Sequence, residues 1–181
     1  MVNKKMLSKL ITAVVAVGAL TFAPNADNVV SVPIIQTSVA HAAESAEEHF
    51  NRGVNYLKAG NYNEAVTEFT KVIELYPNNA NTYYNRALAY RQMQNYDAAI
   101  ADYTKAIELN PNYANAYYNR AITYAISGKF ELALTDASKS IELNPNDGAA
   151  YNLRGMIYED MGDNAKAQAD FDKARELGYN D

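Results

Sequence analysis

The stretch that decides the fold is residues 80–113, which read ANTYYNRALAYRQMQNYDAAIADYTKAIELNPNY. Small and bulky residues recur there at spacings of three and four, which is typical of the buried face of a helix. They are Tyr83, Ala87 and Tyr90 in the first half, and Ala99, Tyr103 and Ala106 in the second. Because a turn around Gln94 separates the halves and Pro111 follows them, the stretch predicts two consecutive helices.

The same pattern returns every 34 residues. A period of this length is typical of stacked structural repeats. The recurring columns include Pro77, Pro111 and Pro145; Tyr56, Tyr90, Tyr124 and Tyr158; and Ala65, Ala99, Ala133 and Ala167. We predict a short lead-in at 43–45 and four helix pairs, at 46–79, 80–113, 114–147 and 148–181.

The four units resemble tetratricopeptide repeats, with which they share the order of small and bulky residues. The first unit presents this signature as His49, Gly53, Tyr56, Ala65, Phe69, Val72 and Pro77. The third unit departs from it at Ala137 and Ser140, and the fourth has Tyr179 in place of proline. The resemblance implies an all-α, right-handed superhelical stack of antiparallel helix pairs, an α-solenoid. It also implies a concave surface that binds a protein or an extended peptide.

Composition excludes several classes of function. The 181-residue chain has a formal net charge of −5, which argues against binding to nucleic-acid phosphates. It has no cysteine and only two histidines, His41 and His49, so no nucleophile–base set and no cysteine-based zinc site can be assembled. Glu159, Asp160 and Asp163 lack the spacing of a calcium loop. We therefore expect a protein that is not an enzyme and that uses no cofactor or metal.

Residues 1–42 have the layout of a secretory signal peptide. A basic flank precedes an uncharged run at 10–23, and Ala40-His41-Ala42 fits a small-x-small cleavage site. The run is short for a membrane span, which needs about 20 apolar residues. We predict cleavage near Ala42 and export to the periplasm or the medium, with no integral span in the mature chain. An uncleaved segment that anchors the protein to a membrane is the alternative.

An arginine recurs in every unit, and an acidic residue follows each one at the same distance in sequence. The pairs are Arg52/Glu68, Arg86/Asp102, Arg120/Asp136 and Arg154/Asp170. The midpoint of every pair falls on the turn column, so the partners lie side by side in an antiparallel helix hairpin. This spacing predicts charge-assisted hydrogen bonds between the two helices. A ladder that binds a foreign anion is the alternative.

Polar residues replace apolar ones at both ends of the predicted stack. Three second-helix columns that are apolar in the first three units become Asn164, Gln168 and Arg175 in the fourth, and Glu48 and Asn55 are polar at the front. Because a solenoid needs polar outer faces on its terminal repeats, the fourth unit is predicted to be a C-terminal cap. We also expect the protein to be monomeric when unbound.

The first helices are predicted to line the concave surface. The candidate binding residues there are Asn51, Asn85 and Asn119, the aromatic residues Phe50, Tyr84 and Tyr118 beside them, and Leu88 and Ile122. In resembling proteins, asparagines in this column grip the backbone of an extended peptide, and an amide can both donate and accept hydrogen bonds. The alternative for the asparagines is a packing role, and for the tyrosines a partly buried scaffold.

Charged residues give the predicted groove a direction. Lys58 and Arg91 lie early in it, whereas Glu159 and Asp160 lie late. A matching ligand would be acidic at one end, apolar in the middle and basic at the other.

The sequence also argues against one specific function of resembling proteins. Their two-carboxylate clamp for chaperone tails needs a lysine where this chain has Phe50 or Tyr84, and an asparagine where it has Val54. The predicted function is therefore an exported scaffold that binds a protein or peptide of another kind. The alternative is a permanent subunit or assembly factor of an envelope complex.

Overall fold

The computed structural model describes the backbone of residues 33–179 and the side chains of residues 46–179. All regular structure in these residues is helical, which confirms the predicted all-α class. In chain order the helices are α1 (Pro33–Lys58), α2 (Tyr62–Leu75), α3 (Ala80–Gln92), α4 (Tyr96–Leu109), α5 (Ala114–Ile126), α6 (Phe130–Leu143), α7 (Gly148–Asp160) and α8 (Asn164–Glu176).

A short turn joins the two helices of each pair, and one residue of each turn has a left-handed backbone. The φ angle is 80° at Gly60, 60° at Gln94, 73° at Gly128 and 85° at Gly162. Glycine adopts such angles without a steric cost, which explains three of the four turns. Within residues 33–179, Gln94 is the one non-glycine residue with a positive φ.

The helices stack in pairs. Each first helix packs most extensively on the second helix of its own pair, and each second helix then packs on the first helix of the next pair. Successive first helices (α1, α3, α5 and α7) also contact one another, and more than successive second helices do. The stack therefore bends with the first helices on its inner side, and we call their exposed surface the inner face.

The hydrophobic core is continuous because each cluster draws residues from two adjacent repeats. Phe50 and Phe69, with ring centroids 5.7 Å apart, pack with Ala89 of the second repeat. The cluster of the second repeat likewise includes Ala116, which stands near the start of the third. A repeat therefore buries its apolar surface fully only when its neighbour is present.

The arginine of each later repeat contacts three kinds of group at once. Arg120 donates from Nε and Nη2 to Asp136, at 2.7 and 2.9 Å, and from Nη1 to Thr104 Oγ1 of the preceding repeat, at 2.8 Å. Its guanidinium also lies 5.7 and 5.8 Å from the ring centroids of Tyr117 and Tyr124. The equivalent bonds join Arg86 to Asp102 and Thr70, and Arg154 to Asp170 and Ser138.

The first repeat builds a different version of this pair. Glu68 Oε2 accepts from Arg52 Nε at 3.1 Å and lies 2.6 Å from His49 Nδ1, while Lys71 Nζ donates to Oε1 at 2.9 Å. The side chain of Arg52 is 46% exposed, against 14% for that of Arg120. Of the four arginine–acid pairs that join the two helices of a repeat, the one in the first repeat is therefore the most open to solvent.

The polar residues predicted to cover the ends of the stack are exposed. On α8 these are Asn164, Gln168 and Arg175, and on α1 they are Glu48 and Asn55. The second-helix face that meets the next repeat in the earlier units is thus polar in the fourth.

The first helix begins earlier than the sequence suggested. It starts at Pro33, so the predicted lead-in at 43–45 and the predicted cleavage position at Ala42 both lie within helical backbone. Residues 1–32, which hold most of the predicted signal segment, lie outside the described residues. Of the helices described from Pro33 onward, none has the length and apolar character needed to cross a bilayer.

Candidate protein-binding face

The structure separates the predicted groove residues into two groups. Asn51, Lys58, Glu159 and Asp160 are exposed on the first helices, and Leu88 is half-buried. Tyr118 is also half-buried. These residues form part of the inner face.

The second group lies beneath the inner face. Phe50, Tyr84 and Ile122 are 1%, 3% and 0% exposed, so their expected role as contact surface is corrected to one in the core. The physical reason is that these side chains pack into the core clusters. Phe50 lies on Phe69 of its own helix pair, and Tyr84 lies between Tyr103 of its own pair and Tyr113 at the start of α5. Of the two alternatives for the tyrosine column, Tyr84 takes the scaffold role.

The two central asparagines are also largely buried and already hydrogen-bonded. Asn85 Nδ2 donates to Asn81 O at 2.7 Å within its own helix. Asn119 Nδ2 donates to Asn115 O at 2.9 Å and to Tyr84 Oη at 3.0 Å. Since both amide hydrogens of Asn119 are used inside the protein, it cannot donate to a bound peptide. Asn51 is the exposed member of this column.

A cluster of tyrosines supports the centre of the inner face. The ring of Tyr84 lies between those of Tyr103 and Tyr113, with centroid distances of 5.9 and 5.0 Å. Burial raises the pKa of Tyr84 to about 12, against an opposing effect of the positive charge on Arg91. Burial likewise raises the pKa of Tyr103 and of Tyr113. All three tyrosines are therefore neutral at physiological pH.

Arg91 occupies a different position from the one the sequence predicted. It was expected at the rim of the groove, but it is only 5% exposed. It lines a small open pocket together with Gln92, Gln94, Tyr96 and Ile126. The pocket lies where the turn between α3 and α4 meets the end of α5. The sequence carried one signal of it, namely glutamine where the other turns have glycine.

The structure also shows what the sequence reasoning missed. The hydroxyl column of Thr70, Thr104 and Ser138, which links consecutive repeats through their arginines, was not recognised. Its signal was a Thr or Ser two residues after each acidic partner in the first three units. Among the side chains of residues 46–179, no group of three or more acidic, histidine or cysteine residues is arranged to hold a metal ion.

Comparison with protein families gives three matches of one kind. A tetratricopeptide repeat model matches residues 80–113, a TPR repeat model matches 53–94, and a second tetratricopeptide repeat model matches 102–135 and 137–169. No curated protein matches the chain significantly.

Several solved structures share the fold. A crystal structure of MamA is 29% identical, with a TM-score of 0.72, over 79% of this chain and 84% of that one. A MamA fragment from Desulfovibrio magneticus RS-1, at 23% identity, has a TM-score of 0.70 over 79% and 85% of the two chains and shows the fold alone.

A third structure contains a ligand. The first TPR domain of Spaghetti (RPAP3), bound to the HSP90 peptide SRMEEVD, is 31% identical, with a TM-score of 0.64. The alignment covers 66% of this chain and 94% of that one. Together, the repeat models match residues 53–169 except at one position. The alignment with the Spaghetti (RPAP3) domain covers nearly all of that domain. The chain therefore belongs to the tetratricopeptide repeat family.

Proposed function

We propose that the protein is a non-catalytic scaffold that binds an extended segment of a partner protein along its inner face. The observation that carries this proposal is the division of the first helices into a buried, hydrogen-bonded layer and a row of exposed and half-buried side chains above it. A preorganised surface of this kind loses little conformational entropy when it binds. The similar TPR domain of Spaghetti (RPAP3) binds a peptide, which supports the same class of ligand here.

Exposed charges favour one orientation of the bound segment. Lys58 stands at the end of α1, and Glu159 and Asp160 at the end of α7, all exposed. A segment whose acidic part lies over the early repeats and whose basic part lies over the last repeat would match them. Such charges at a rim act mainly on orientation and on the association rate, and half-buried side chains such as Leu88 contribute more of the affinity.

We further propose that the protein is exported, with its N-terminal segment removed. The support is the sequence pattern of residues 1–42 alone: a basic flank, an uncharged run, and Ala40-His41-Ala42. Mass spectrometry of the protein recovered from its native envelope or medium tests this. An N-terminus at or near Ala43 is expected, and an intact Met1 form confined to the membrane fraction would contradict it.

The binding proposal is tested by site-specific photo-cross-linking in cells. A photoreactive amino acid is placed at Leu88 on the inner face or at Leu132 on α6, which is 50% exposed and lies on a second helix. Cross-linked products are identified by mass spectrometry. We expect the photoreactive residue at position 88 to cross-link to one specific partner protein, and the one at the matched position 132 to give no cross-linked product. Products from position 132 alone would move the binding surface to the outer side of the stack.

A further inference from the structure

One nitrogen of His49 lies between a hydrogen-bond donor and an acceptor. His49 Nδ1 is 2.6 Å from Glu68 Oε2 and 2.6 Å from Arg52 Nη2. A ring nitrogen that carries a proton donates, and one without a proton accepts, so Nδ1 can bond to the carboxylate or to the guanidinium but not to both. The two contacts therefore correspond to two positions of one proton.

The carboxylate beside the ring does not depend on that proton. Glu68 Oε2 already accepts from Arg52 Nε at 3.1 Å, and its Oε1 accepts from Lys71 Nζ at 2.9 Å. A neutral ring can therefore keep its proton on Nε2 and accept from Arg52 at Nδ1. A charged ring has a proton on both nitrogens and cannot accept from Arg52.

The charged groups around the ring come from both helices of the first repeat. Glu68 and Lys71 lie on α2, and Arg52 lies on α1 with Glu48, whose Oε2 is 3.9 Å from Arg52 Nη1. Among these side-chain types and histidine, only histidine ordinarily changes its charge between about pH 5 and about pH 8. Burial alone would raise the pKa of Glu68, but its hydrogen bonds and the charge of Arg52 lower that pKa to about 2. Its carboxylate is therefore charged throughout this range.

The other repeats have a tyrosine where the first repeat has His49. The ring centroids of Tyr83, Tyr117 and Tyr151 each lie 5.7 Å from the guanidinium carbon of the arginine in the same repeat. Tyrosine ordinarily titrates at about pH 10, so a tyrosine ring here brings no change of charge at lower pH. The first repeat thus has a titratable ring in place of a neutral one, beside the most exposed of the four arginines.

We propose that His49 is a proton-operated switch in the first helix pair, which holds Arg52 when the ring is neutral and releases it when the ring is charged. Protonation of Nδ1 removes the acceptor of Arg52 Nη2 and places a like charge beside the guanidinium. The same proton gives Glu68 Oε2 a new donor, so the carboxylate has a charged partner in both states. Arg52 then turns toward Glu48 and the solvent.

Acidification thereby frees an arginine at the front of the stack without breaking the helix pair. Because Glu68 exchanges one donor for another, the change is local and is measured at the side chains themselves. The switch needs no partner protein, so its test is independent of the proposed function.

The direct test is NMR of the full chain labelled with 15N at histidine and arginine, titrated from about pH 8 to about pH 5. The ring signals of His49 are assigned by their loss in His49→Tyr, and the Nε–Hε signal of Arg52 by its loss in Arg52→Lys. At the basic end we expect the proton of His49 on Nε2. As the ring becomes charged, the Arg52 signal should move with the same midpoint, and its heteronuclear NOE should fall because the side chain becomes mobile.

The arginines of the later repeats are internal controls. The signals of Arg86, Arg120 and Arg154 should stay fixed over the same range. A proton on Nδ1 at the basic end would overturn the proposal, and so would an Arg52 NOE that stays constant while the ring titrates. Both measurements are made on the parent protein, so neither depends on the folding of a variant.

His49→Tyr gives the first repeat the residue that the other repeats carry. In this variant the Arg52 signal and its NOE should stay constant over the same range. A pH response of Arg52 that persists without His49 would assign it to another group and overturn the proposal.

The coupling must also act in the opposite direction. In Arg52→Met the His49 ring should become charged at a higher pH than in the parent, because a neighbouring positive charge no longer opposes protonation. Lys58→Met removes the same charge from the exposed last residue of α1 and should leave the titration of His49 unchanged. An unchanged titration in Arg52→Met, or an equal shift in Lys58→Met, would contradict the switch.

Discussion

At the scale of single residues, the arginine columns connect the stack in two directions. Arg120 is bound within its own helix pair by Asp136 and to the preceding repeat by Thr104. Tyr117 and Tyr124, one turn away on either side, enclose the guanidinium on its own helix. One side chain therefore fixes both the geometry of a hairpin and its position against the neighbour.

Arg120→Ala is expected to destabilise the protein by about 3–5 kcal/mol, because it leaves the carboxylate of Asp136, a residue 4% exposed, without its cation. The matched Arg52→Ala should cost less, because that side chain is 46% exposed and Lys71 still contacts Glu68. Urea unfolding measures both. Equal losses of stability in the two variants would show that the burial of the ion pair does not determine how much it stabilises the protein.

A double change separates the ion pair from the packing around it. Arg120→Met combined with Asp136→Leu should be closer to the parent in stability than either single change, because no unpaired charge remains. A double variant as unstable as the sum of its parts would contradict this, because it would show that Arg120 and Asp136 contribute independently through their other contacts.

Glu68 makes the stability of the first repeat depend on pH. Burial alone would raise its pKa, but hydrogen bonds from His49 and Lys71 and the charge of Arg52 lower the pKa from 4.5 to about 2. A carboxyl whose pKa is lower in the folded state stabilises that state above its unfolded pKa, and the contribution is lost as pH falls toward the folded value.

Above about pH 5, the parent should therefore have a larger free energy of unfolding than Glu68→Gln, and the difference should be at its full size. This difference should shrink as the pH falls from about 4.5 to 2. Urea unfolding of both proteins across this range measures the gap. A gap that stays constant with pH would contradict the assigned role of Glu68.

At the scale of helix pairs, a small residue on the first helix faces a ring on the second in the first repeat. Gly53 on α1 faces Phe69 on α2, and a Cβ added at Gly53 would lie 2.7 Å from the Phe69 ring. In the second repeat the same two positions hold Ala87 and Tyr103. The fourth repeat again has glycine against phenylalanine, at Gly155 and Phe171, where an added Cβ would also lie 2.7 Å from the ring.

Gly53→Ala should destabilise the protein, although alanine favours helix by about 1 kcal/mol. Phe69 is fully buried and cannot move aside, so overpacking of about 1–3 kcal/mol outweighs that gain. Thermal unfolding of Gly53→Ala, with Gly53→Ala/Phe69→Leu as the variant that restores space, checks this. A Gly53→Ala protein more stable than the parent would contradict this, because it would show that the Phe69 ring accommodates the added methyl group.

The helix pairs were predictable from sequence because their signals are local. The spacing of Tyr83, Ala87 and Tyr90 defines a helix face, and the midpoint of each arginine–acid pair falls on a turn. The exposure of the groove was not predictable in the same way. Whether Tyr84 or Arg91 reaches solvent depends on how the helices of one pair and the next pack around it, and the pattern of a single repeat does not encode that packing.

At the scale of the whole molecule, the stack has polar residues on the face that would otherwise receive another repeat. Asn164, Gln168 and Arg175 are exposed on α8, where the equivalent positions in earlier repeats are half-buried or buried. The change from apolar to polar residues in these columns can be read from the sequence alone, and the capping role of the fourth repeat stays a prediction.

Asn164→Leu is expected to be nearly neutral for stability and to promote self-association, because it restores part of an apolar stacking face. Sedimentation velocity of the variant and the parent, at equal and increasing concentration, measures this. Asn63→Leu, another exposed asparagine early in a second helix but outside the stacking column, is the control. Identical sedimentation of all three proteins would show that these polar residues do not limit stacking.

The central claim, that the inner face binds the partner, is tested most directly by calorimetric titration of the cross-linked partner against two matched variants. Leu88→Ala changes a half-buried side chain on the inner face, and Leu132→Ala changes an exposed one on a second helix. We predict that Leu88→Ala weakens binding at least about tenfold, or about 1.4 kcal/mol, with Leu132→Ala unchanged. Full affinity in a folded Leu88→Ala protein, together with a loss in Leu132→Ala, would contradict the claim.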